Sequence, residues 1–102
     1  MYFYIIQLYD ISYKQDIILA LTTVGIINST IVLGESLDTI LNNEIPLFKN
    51  IFKSSKKRIS AIIFGTTESK EKLYALKILL EEAGIKNTDN IISITFMEVN
   101  KV

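Results

Sequence analysis

The sequence predicts one α+β domain in which two β-α-β halves share a four-stranded antiparallel sheet. Three observations predict it. Four segments rich in aromatic and β-branched residues alternate with two segments of helical apolar spacing. Leu21 to Ile26 (Leu-Thr-Thr-Val-Gly-Ile) and Leu80 to Ile85 (Leu-Glu-Glu-Ala-Gly-Ile) echo each other at matching places in the two halves. At 102 residues the chain is long enough for one core and too short for two.

Met1 to Tyr9 reads as the first strand, with Phe3 and Ile5 on one face and Tyr2, Tyr4, Ile6 and Leu8 on the other. Both faces are apolar, so the strand is expected to be covered on both sides. Ser12 and Gln15 have the spacing of a capping box. Tyr13, Ile17, Leu21 and Val24 then form a helical stripe, widened by Ile18 and closed by Gly25. Ser29 to Gly34 is the second strand, centred on Ile31, Val32 and Leu33. Arg58 to Gly65 is the third, with Ile59, Ala61 and Ile63 facing one way and Ile62 and Phe64 the other. Thr67 to Ala83 is a second helix with a Leu73, Leu76, Leu80 and Ala83 stripe, stopped by Gly84. Ile91 to Val99 is the last strand, apolar at Ile92, Ile94 and Phe96 and polar at Ser93 and Thr95.

This β-α-β-β-α-β order is that of the ferredoxin-like folds. Right-handed crossovers place strands one and three at the centre and both helices on one face. The second sheet face then carries apolar side chains with nothing over them, and another copy of the chain is the economical cover. The expected exposed set is Phe3, Ile5, Ile59, Ala61 and Ile63, or the opposite faces of the same strands.

Composition narrows the function. Eleven basic residues balance eleven acidic ones and Arg58 is the only arginine, so nucleic acid is not the expected partner. Cysteine and histidine are absent, which removes thiolate chemistry, the commonest general base and the commonest metal ligand. No stretch reaches the roughly 18 apolar residues of a membrane span. The first residues lack the basic start and cleavage site of a signal peptide, so a cytoplasmic location is expected. Glu81 and Glu82 read as solubilising residues, and Asp10 as a turn residue before a helix. No catalytic residue and no enzyme activity is expected; a small enzyme built on carboxylates such as Asp10 is the remote alternative.

The connection between strands two and three would be a hairpin of about 2–5 residues in a minimal fold. Here it covers residues 35–57 and is apolar, with Leu47, Phe48, Ile51 and Phe52 forming a stripe after Pro46. Those four residues are the candidate partner-binding surface. Lys53, Lys56, Lys57 and Arg58 follow, a solvated turn or a receiver of phosphate.

With this element order and long second loop, the chain resembles the PII-like superfamily over nearly its whole length. Thr30-Ile31-Val32 and Gly34 look like the family's second strand and the glycine that opens its T-loop. Glu44-Ile45-Pro46-Leu47-Phe48 is similar to a signature of an uncharacterised PII-like branch. Thr88 to Ile94 falls where the family carries its phosphate-binding B-loop. The resemblance implies a homotrimeric regulator or adaptor with ligand clefts between subunits, an adenine nucleotide as the ligand class, and mobile loops that bind target proteins. Carried over, the ligand-binding residues are Thr30, Gly34, Thr88 and Asn90, with Lys57 and Arg58 as added phosphate donors. Thr88 and Asn90 stand where the family has glycines, and their Cβ atoms crowd a phosphate. No tyrosine occurs in 35–57, so uridylylation of that loop is not expected. The alternative of another class is a structural association module without a ligand.

Overall fold

The computed structural model of the chain describes residues 1–35, 37, 40, 59–86, 91–100 and 102. Among them the elements are β1 (Tyr2–Leu8), a short 3-10 turn (Ile11–Tyr13), α1 (Lys14–Thr23), β2 (Thr30–Glu35), β3 (Ile59–Thr67), α2 (Lys70–Glu82) and β4 (Ile92–Glu98). The four strands form one antiparallel sheet in the order β2-β3-β1-β4, which puts β1 and β3 at the centre.

Register assigns each side chain to a face. Tyr4 lies opposite Gly65 and Phe96, Ile6 opposite Ile63 and Ile94, and Leu8 opposite Ala61 and Ile92. These alternate residues share one face and are buried with Ile17, Ala20 and Leu21 of α1 and Leu73, Leu76 and Leu80 of α2. Both helices therefore cover the same side of the sheet. Phe96 closes the β4 side of this layer with edge-on contacts to Tyr2 and Tyr74, at centroid distances of 6.1 and 5.8 Å.

Among the described residues, neither α1 nor α2 lies over the opposite face. Phe3, Ile5, Ile62, Phe64, Val32 and Met97 share it. The expected exposed set mixed the two faces: Ala61 and Ile63 are buried under the helices, whereas Ile62 is 40% exposed on the bare side. β1 is buried on its helix side and half-buried on the other.

The two helices end in the same way. Gly25 and Gly84 have φ of +86° and +85°, a region open to glycine at little cost. The Ile26 and Ile85 amides reach back five residues to the carbonyls of Leu21 and Leu80 at 2.9 and 2.8 Å. The Gly25 and Gly84 amides bond to Thr22 and Glu81. This is the Schellman arrangement, and the two isoleucines are buried against the core. The internal echo in the sequence is thus a repeated helix stop.

Starts differ from expectation. The Asp10 carboxylate accepts from the Ser12 amide at 3.1 Å and the Ser12 hydroxyl at 2.7 Å, so Asp10 caps the turn and no Ser12–Gln15 box forms. α1 begins only at Lys14. β3 runs through Gly65 to Thr67, and α2 starts at Lys70 behind a Ser69 cap whose hydroxyl accepts from the Lys72 amide. Ala83 is exposed rather than part of the buried stripe.

Candidate functional site

Of the residues proposed to bind a ligand, Thr30 and Gly34 lie in the described part of the chain. Both are exposed on the bare face of β2, opposite Phe64 and Ser60 respectively. Four residues of strand separate them by about 13 Å at the usual rise. They cannot converge on one phosphate; an extended ligand or two separate contacts would be needed. Nothing described lies within 4 Å of a Cβ placed on Gly34, so the fold itself does not demand glycine there.

Lys57, Arg58, Thr88 and Asn90, and the partner-binding set Leu47, Phe48, Ile51 and Phe52, fall outside the described residues. The flanking strands nevertheless place the chain on either side of them. Glu35 pairs with Ile59, so residues 36–58 leave and re-enter the sheet at adjacent positions beside Gly34. β4 begins at Ile92 opposite Leu8, which is itself opposite Ala61. Segment 87–90 therefore opens at the same end of the sheet as segment 36–58, but next to the opposite edge strand. Three strand spacings, about 14 Å, separate the two edges.

Between those edges, among the described residues, lies the sheet face that α1 and α2 leave bare. Val32 is 48% and Met97 57% exposed, with Ile62 between them in the sheet and Phe3, Ile5 and Phe64 half-buried. Gln7 and the Thr66 and Thr95 positions supply its polar margin. β2 carries this apolar character to the sheet edge, where all six of its residues are exposed. The sequence reading centred this strand on Ile31, Val32 and Leu33 and, by placing strands one and three in the middle of the sheet, left it at an edge, which is where the strand order puts it.

A polar cleft at the other end of the sheet went unseen in the sequence. It has a volume of about 470 Å³ and is bounded by the linker before β2 and the turn between β3 and α2. Its polar groups mostly serve one another. Asn28 Nδ2 donates to the Thr66 carbonyl at 3.3 Å, Lys72 Nζ to the Gly25 carbonyl at 3.4 Å, and the Ser69 amide to Thr67 Oγ1 at 3.2 Å. The Thr66-Thr67-x-Ser69 run before the helix is the signal that marks it. Above it, the Tyr4 hydroxyl is hydrogen-bonded to Ser29 Oγ.

Asp10, the remote candidate for carboxylate chemistry, is exposed at the α1 entrance. Its two bonds from Ser12 hold its carboxyl below the ordinary carboxylate range, which suits a cap and not a general base. Among the described residues no group of three or more acidic, histidine or cysteine side chains is placed to hold a metal, and no helix is long and apolar enough to cross a membrane. No protein-family model matches this sequence, and comparison with curated proteins returns no match.

Proposed function

We propose that the protein is a PII-like regulatory or adaptor module of ferredoxin-like topology that works in the cytoplasm as a homotrimer. The observation that carries this reading is the bare sheet face. Phe3, Ile5, Val32, Ile62, Phe64 and Met97 form a continuous apolar layer on the side that the helices leave open. Contiguous apolar surface of this kind marks an interaction site, and a second sheet of the same chain matches it in chemistry. Association also supplies the burial that a chain this short lacks by itself.

In this reading the subunit boundary brings residues 36–58 of one copy near residues 87–90 of another. Lys57, Arg58, Thr88 and Asn90 then border a cleft for a small anion or adenine nucleotide, with Thr30 and Gly34 along one wall. Leu47, Phe48, Ile51 and Phe52 contact the partner protein. The element order, the opening of both segments at one end of the sheet, and the quoted motifs support the reading.

The test is a charge placed on the bare face. Ile62→Lys adds an ammonium where the side chain is already 40% exposed, so the isolated fold tolerates it while a sheet-to-sheet interface does not. Sedimentation velocity is expected to show the parent chain associated and the variant dissociated, with the far-ultraviolet spectrum unchanged. An Ile62→Lys variant that keeps the parent's mass would overturn the assignment of this face.

A further inference from the structure

The helical layer has its own unfilled feature, on the side of the molecule opposite the bare sheet face. α1 and α2 pack side by side but leave a notch of about 170 Å³ between Asp16, Leu19, Ala20 and Thr23 on one helix and Leu79 and Ala83 on the other. The two alanines create it, because larger side chains there would close the gap.

The α1 wall is apolar beyond what its composition suggests. Leu19 is 67% exposed. The Thr22 and Thr23 hydroxyls donate to the Ile18 and Leu19 carbonyls at 2.8 and 2.7 Å, so their protons are satisfied within the helix. After Asp16 the helix bears no charge. On α2, Ile78 is also 55% exposed. An amphipathic surface helix normally turns charge outward along its length; α1 does so only in its first turn.

The notch is lined by one charged side chain, Asp16. The strand directions make α1 and α2 antiparallel, so Asp16 in the first turn of α1 lies by Ala83 at the end of α2. Asp16 has no ion-pair partner among the described residues. α2 ends in Glu81 and Glu82 with no base in its last turn, and its carbonyl end adds partial negative charge.

We propose that this groove docks a peptide segment of a partner protein that carries one bulky apolar side chain beside a lysine or arginine. The apolar side chain fills the notch against Leu19 and Leu79. The cation faces Asp16 and sets the direction of the segment, a contribution to specificity more than to affinity. This surface is separate from the sheet face used for self-association, so the two proposals stand or fall independently.

The test uses the full chain labelled with nitrogen-15 and two synthetic helical peptides, one of leucine and lysine and one with glutamate replacing every lysine. The lysine peptide is expected to shift the amides of Leu19, Ala20, Leu79 and Ala83 and to bind at least ten times more tightly than the glutamate peptide. Asp16→Lys is expected to reverse that preference, and Ala83→Leu, at an exposed position, to abolish binding by filling the notch. Absence of binding, an unchanged preference in Asp16→Lys, or shifts confined to Val32, Ile62 and their sheet neighbours would overturn the proposal. So would protection of Leu19 and Ala83 from a soluble paramagnetic probe in the peptide-free protein, which would assign the groove to a second copy of the chain.

Discussion

At the residue scale, Gly65 shows how one position is fixed by a neighbour far away in sequence. Its backbone is ordinary strand, yet an added Cβ would sit 2.6 Å from the Tyr4 hydroxyl oxygen and 3.1 Å from Cζ. Tyr4 has no exposure and its hydroxyl is bonded to Ser29, so it has nowhere to move. Gly65→Ala is therefore expected to destabilise the fold by about 1–3 kcal/mol, the usual cost of overpacking, measured from the urea midpoint. Adding Tyr4→Phe removes the closer contact and is expected to recover part of that loss. A sequence reader sees a glycine after four apolar residues and ends the strand there, because the crossing tyrosine is some sixty positions away. Asp10 is the contrasting case, legible from its place between a strand and a helix. The sequence offers two competing patterns, Asp10-x-Ser12 and Ser12-x-x-Gln15, and the first wins because the carboxylate takes both Ser12 donors. Because this carboxyl titrates below its unfolded value, its contribution is complete above the unfolded pKa and is lost as pH falls through the lower folded one. The stability advantage of the parent over Asp10→Ala, followed by thermal melts, is expected to shrink as pH falls below about 4. An advantage that stays constant or grows on acidification would contradict this account.

At the element scale, the helix stops were the most legible features, because glycine followed by an apolar residue carries its own mechanism. Gly84 has a φ of +85°, and Gly84→Ala is expected to cost about 1 kcal/mol by forcing a Cβ into that region. Gly34 has neither a positive φ nor a neighbour in the way. Gly34→Ala is thus expected to leave stability unchanged or raise it by a few tenths of a kcal/mol. The two variants in parallel chemical melts separate a glycine required by backbone geometry from one that the fold leaves free. If Gly34→Ala were as costly as Gly84→Ala, the β2 geometry described here would be wrong. Strand boundaries were less legible, since β3 and α2 meet in a run of threonines and serine that suits either a strand end or a cap.

At the scale of the whole molecule, the sequence identified the central strands because β1 and β3 are apolar on both faces, and the core residues of both helices followed from their spacing. Face assignment across strands needed register, which periodicity within one strand does not contain. Hence Ile62 and Phe64, not Ala61 and Ile63, join Phe3 and Ile5 on the bare side. The candidate site is legible only as a set of segments, since its cations and apolar stripe lie in 36–58 and Thr88 and Asn90 in 87–90, outside the described residues. What the architecture adds is the ground for the proposed association: a sheet face that α1 and α2 leave bare, an exposed β2 edge, and two candidate ligand segments flanked by strand ends at the same end of the sheet but at opposite edges. The most direct test is multi-angle light scattering on the purified parent chain at micromolar concentration. A single species of three times the 11.6 kDa chain mass is expected. A monomer under those conditions, with the bare face exposed to water, would contradict it.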